Sequence, residues 1–114
     1  GLQNAGKTTL IRALANEFND LLGDGVLLHP PHSRVAPRHG ATIPRPWSVA
    51  PTAMFNLTGS PVTQTPLGLG AEGLPLGVQV VAALDREHVA IAAAMALERA
   101  FGGWVSPERV AVHA

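Results

Sequence analysis

The chain begins with a helical pattern. Leu10, Leu14, Phe18 and Leu21 recur at three- and four-residue intervals, Ile11 and Leu22 widen the stripe, and Glu17, Asn19 and Asp20 fall opposite. This spacing predicts an amphipathic helix from about Thr9 to Leu22, with Gly23 as its C-terminal stop. Gly25-Val26-Leu27-Leu28-His29 follows, an unbroken apolar run closed by Pro30-Pro31, and it reads as a buried strand. Prolines 30, 31, 37, 44, 46 and 51 then forbid a continuous helix or a central strand, so residues 30 to 51 read as a long irregular loop. Thr52 to Leu57 suits a short helix ending before Gly59.

The period then changes. Val62 to Leu67 and Leu76 to Val81 read as two strands, and the turn formers from Gly68 to Pro75 join them as a hairpin. The last pattern, Arg86 to Phe101, is a helix. Asp85 is placed to cap it, Val89, Ala93, Ala96, Leu97 and Ala100 give a small apolar face, and Gly102-Gly103 ends it. The fold class expected is therefore α/β: helix, strand, long proline-rich loop, β-hairpin, helix.

Composition narrows the function classes. The 114 residues allow one small domain or part of a larger one, and 46% of them are apolar. Eight basic and eight acidic side chains cancel without a basic run, so nothing favours a nucleic-acid partner. Without cysteine, disulfides, thiolate catalysis and Cys-based zinc sites are excluded. No apolar stretch approaches the roughly 18 residues of a membrane span, and no signal peptide is apparent. The first residue is Gly1 rather than Met, which suits a fragment or a processed chain.

Gly1-Leu2-Gln3-Asn4-Ala5-Gly6-Lys7-Thr8 fits the phosphate-loop pattern at every fixed position. In such a loop backbone N–H groups and the lysine hold phosphates and the hydroxyl binds magnesium, so Gly1, Gly6, Lys7 and Thr8 are nucleotide-binding candidates. The resemblance, to small GTPases of the Arf-like kind, covers about a dozen residues. Asp20-Leu21-Leu22-Gly23 lies too near the motif to serve as its magnesium aspartate. Lys7 is the only lysine, so no Asn-Lys-x-Asp base-reading motif exists. The plainer reading is a helix start with a glycine-rich lead-in.

A second resemblance covers about ninety residues. It rests on four blocks in order: Leu22 to Pro31; Ala36-Pro37-Arg38-His39-Gly40; Met54-Phe55-Asn56-Leu57-Thr58-Gly59-Ser60-Pro61 running on to Gly68; and Gly73-Leu74-Pro75-Leu76-Gly77-Val78-Gln79-Val80-Val81-Ala82, leading through Asp85 to Val105. These resemble the C-terminal part of the amidase signature family, and the second block is typical of fatty-acid amide hydrolase-like members. The resemblance makes residues 1 to 114 a partial amidase domain, with 1 to 10 an uncertain lead-in. It implies hydrolysis of carboxamides, with a preference for long or hydrophobic acyl groups read from Ala36 to Gly40. The family's Ser-cis-Ser-Lys triad lies in a glycine- and serine-rich signature upstream of these blocks. Ser33, Ser48, Ser60 and Ser106 are isolated and Lys7 is out of family order, so no catalytic residue is carried over. The partners implied are the remainder of the amidase domain and a small-molecule amide, and no cofactor is expected.

By the same resemblance Thr52 and Phe55 are candidates to line the acyl pocket; the alternative for Phe55 is an ordinary place in the core. Asn56-Leu57-Thr58 spells a glycosylation acceptor, but its apolar neighbours favour burial. Gln79, one polar residue in an apolar strand, reads as a satisfied structural amide. His29, His32 and His39 lack the spacing of a zinc motif, so no metal site is expected. A non-catalytic structural or interaction piece is the third functional reading.

Overall fold

The computed structural model describes residues 2–32, 36–40 and 50–106. It combines three helices with a small antiparallel sheet. The order is α1 (Leu2–Leu22), β1 (Val26–His29), α2 (Ala50–Thr58), β2 (Val62–Leu69), β3 (Pro75–Ala82) and α3 (Glu87–Phe101). The sheet order is β1-β3-β2, so β3 is central and the hairpin partner of β2.

α1 starts seven residues earlier than the apolar stripe indicates, because Gly6-Lys7-Thr8 continues its backbone towards Leu2. This bears on the phosphate-loop reading. From Gly6 onward the N–H groups of this stretch are directed into the helix, whereas a phosphate loop must curl before its helix begins. Gly1 lies outside the described residues. At the other end Gly23, at φ +52°, donates its N–H to Asn19 O at 2.9 Å, and the chain turns into β1.

β1 is not the fully buried strand its apolar run indicates. Leu28 is 48% exposed, and the strand pairs antiparallel at the sheet edge, with Val26 opposite Ala82 and His29 opposite Gln79. The other edge is β2, whose Pro66 has no N–H to give, a loss tolerated at an edge. Opposite β3 the register shifts between Pro66 and Gly68, and Gly68 takes φ +109° there. The connecting loop is closed by Gly70 N–H to Leu74 O at 2.8 Å and Gly73 N–H to Gly70 O at 3.0 Å.

α3 covers one face of the sheet. Ala90 and Ala94 meet Val80 and Ala82 in the core, with Val26, Ala93 and Leu97 around them. Small side chains let helix and sheet approach closely, but the buried pair is Ala90 and Ala94, while Ala96 and Ala100 face solvent. The face is thus rotated from the one read from spacing. Asp85 does not cap this helix. It stands one residue too early, at φ +62°, and the N-cap is Arg86, which makes no side-chain cap bond. The C-terminal stop is at Gly102, φ +87°, whose N–H reaches Glu98 O at 2.9 Å.

Candidate functional site

Successive side chains of a strand point to opposite faces, so the residues of β3 between Val80 and Ala82 face away from α3. Gly77, Gln79 and Val81 share that second face, and the register sets His29 of β1 and Gln64 of β2 beside Gln79. Three polar side chains therefore lie in one row across the sheet. Gln79 Nε2 donates to Gln64 Oε1 at 3.3 Å, and His29 Nδ1 lies 2.8 Å from Pro30 O. A carbonyl only accepts, so Nδ1 of His29 carries the hydrogen.

The row is not fully satisfied. His29 Nε2 and Gln79 Oε1 are buried and have no hydrogen-bond partner. Each such group costs about 1–3 kcal/mol if left unpaired. Gln79 is thus only half the satisfied amide that its sequence context indicates.

α2 covers the His29 end of the row. Phe55 is 3% exposed, its ring centroid 4.7 Å from that of His29 and 5.7 Å from that of Phe18 on α1. Thr52, one turn before it, donates its hydroxyl to Pro31 O at 2.7 Å and so ties α2 to the exit of β1. Thr52 and Phe55 therefore both face the β1 side of α2. Asn56 is exposed on the same helix, contrary to the burial its neighbours indicate. The sequence has no sign that α2 turns that position outward. Thr58, the last residue of the acceptor triplet, shares a 2.7 Å bond with Ser60.

At the Gln64 end lies an open groove of about 620 Å³, bounded by Pro31, His32, Pro37, Pro66, Gly77 and Trp104 among others. Gln64 forms part of its lining, and neither Thr52 nor Phe55 does. A Cβ on Gly77 would stand 2.6 Å from Gln64 Nε2, so glycine makes room for the amide. Sequence reading singles out Gln79 but not Gln64 or Trp104. The signal for Gln64 was available, since a hairpin that pairs the two strands sets both glutamines opposite each other.

Among the described residues that line this groove there is no acid and no lysine or arginine. Among the described residues no group of three or more His, Cys, Asp or Glu is placed to hold a metal ion, and His29, His32 and His39 do not form one. Ser33 and Ser48 lie outside the described residues.

Comparison with known proteins gives the class. The chain is 52% identical to human fatty-acid amide hydrolase 2 over 96 residues, 83% of this chain and 18% of that protein. It is 54% identical to zebrafish (Danio rerio) fatty-acid amide hydrolase 2-B over 95 residues, 82% and 18% of the respective lengths. It is 42% identical to the 6-aminohexanoate-cyclic-dimer hydrolase of a Pseudomonas species over 55 residues, 48% and 11%. No family model matches the chain, and no solved structure does. The chain is an amidase-signature sequence. Within that class it is of the fatty-acid amide hydrolase-like kind. It spans under a fifth of the length of the fatty-acid amide hydrolases it matches.

Proposed function

We propose that this chain is the C-terminal part of an amidase that hydrolyses carboxamides, fatty-acid amides among them. The observation that carries the reading is the identity of about half the residues with fatty-acid amide hydrolase 2 over most of the chain. By the family resemblance, catalysis falls to a Ser-cis-Ser-Lys arrangement supplied by segments other than these 114 residues. The role of this chain is then structural: it contributes a sheet layer and three helices to the body that holds the catalytic centre.

The apolar surface supports that role. Leu10, Leu14 and Leu21 of α1 are 60%, 54% and 83% exposed, and Met54, Leu57, Ile91 and Met95 on α2 and α3 are exposed as well. Exposed apolar faces of this extent mark surfaces that another element covers. The remainder of the amidase domain is the partner we assign to them. No helix among the described residues is long and apolar enough to cross a membrane.

We keep Thr52 and Phe55 as candidates at the border of the acyl pocket of the complete enzyme. What supports this is the family resemblance of residues 54 to 61. Their packing on β1 favours an indirect part, through the position of α2.

The test is expression of the whole reading frame that contains this chain, followed by assay with oleamide and a short aliphatic amide. Hydrolysis of either, lost when the upstream serine nucleophile is replaced, is the expected result. A full-length protein that leaves both amides intact would remove the proposal.

A further inference from the structure

The two edges of the sheet are built differently. In an antiparallel pair alternate residues turn both their N–H and their C=O to the same neighbour. Ala82 N–H reaches Pro61 O at 3.1 Å, so Ala82 and Val80 bond towards β2, and Val81 and Gln79 bond towards β1. The register then gives Leu27 and His29 of β1 to β3, and it turns the N–H and C=O of Val26 and Leu28 outward. On the opposite edge Val62, Gln64 and Pro66 of β2 are the outward residues.

The β2 edge is closed to a further strand. Pro66 puts a residue without N–H at an outward position, and the register shift between Pro66 and Gly68 breaks the ladder beside it. β1 has no such device. It holds no proline, no lysine and no acid, and both of its outward residues carry N–H groups. Among the described residues no backbone group bonds to Val26 or Leu28 from the outer side.

The side chains of β1 agree. Val26 packs on the α3 core, yet Leu28, on the same face, is half exposed, and Leu27 faces the other way. A run that is apolar on both faces is the composition of a strand inside a sheet rather than at its rim.

We infer that β1 is an interior strand of the complete protein, and that a strand from the remainder of the parent chain pairs with its outer edge through Val26 and Leu28. This rests on the proposed function only in requiring a longer parent. The matched stretch is 18% of human fatty-acid amide hydrolase 2, so a parent of that kind has ample chain to supply the strand. A strand is the matching element because the outward groups recur at every second residue.

Hydrogen exchange on the full-length protein, read residue by residue by mass spectrometry with electron-transfer fragmentation, tests it. The amides of Val26 and Leu28 are expected to exchange at least about a hundredfold more slowly than those of Val62 and Gln64, and about as slowly as those of Leu27 and His29. That protection should persist when the protein is diluted. Exchange at Val26 and Leu28 as fast as at Val62 and Gln64 would overturn the inference, and so would equal protection at both edges. Protection lost on dilution would give the edge to a second copy of the protein and overturn it as well. The readout is independent of turnover. A protected β1 edge in a protein inert towards amides keeps this inference and removes the amidase reading, and amide hydrolysis with an unprotected edge does the reverse.

Discussion

The ring of Phe55 sits 4.7 Å from that of His29, tilted by 42°, and this contact fastens α2 to the sheet. Phe18 reaches the same ring from α1, so one buried aromatic joins two helices and a strand. Removing it leaves a hole that three elements must close. Phe55→Ala is expected to cost about 3–5 kcal/mol, read from denaturant unfolding. In the complete enzyme the core role predicts an equal fall in kcat/KM for short and long amides. A changed preference between them at unchanged melting temperature would assign Phe55 to the pocket itself.

Gly77 faces Gln64 across the hairpin, and an added Cβ would meet Gln64 Nε2 at 2.6 Å and Thr65 O at 3.2 Å. Gly77→Ala is expected to destabilise by about 1–3 kcal/mol, as overpacking does. Part of that comes from the amide and part from the backbone oxygen. In a Gln64→Ala background the same substitution should cost measurably less, but not nothing. An equal cost in both backgrounds would show that the Gln64 contact is not the cause.

Asp85 holds φ +62°, a region that side chains with a Cβ enter at a cost. Asp85→Gly should be neutral or stabilise by up to about 1 kcal/mol, and Asp85→Val should destabilise by at least about 1 kcal/mol. Thermal melts of the three proteins check the order. If Gly is the least stable of them, Asp85 contributes through its side chain, as a capping residue would.

These positions show where sequence pattern carries information. The hairpin was legible because Val62 to Leu67 and Leu76 to Val81 are bounded by glycine and proline, whose backbone limits act locally. The stop at Gly102 was legible for the same reason. The cap was not, because Asp85 and Arg86 differ by one residue and the turn from Ala83 decides between them. The buried face of α3 was misplaced because alanine occurs all round that helix, so spacing alone cannot orient it. At α1 the stripe was found but its burial was not, since most of it meets no other described element. The polar row depends on register between β1, β3 and β2. The hairpin brings Gln64 and Gln79 together, but His29 lies far along the chain from both, and no local spacing joins it to them.

The phosphate-loop reading also has a direct consequence. If Leu2 to Thr8 is helical, the chain should show no magnesium-dependent binding of GTP or ATP, measured by a fluorescent nucleotide analogue. Saturable binding lost in Lys7→Ala would restore nucleotide binding as a function.

The central claim is that this chain belongs to an amidase and does not itself hold the catalytic residues. The most direct measurement compares oleamide turnover by the full-length protein and by the purified 114-residue chain under the same conditions. The account predicts turnover by the first and none above buffer by the second, because no serine of the chain lies in the Gly-Gly-Ser-Ser setting that the proposed mechanism uses. Turnover by the chain alone, abolished when one of Ser33, Ser48, Ser60 or Ser106 is replaced, would contradict it.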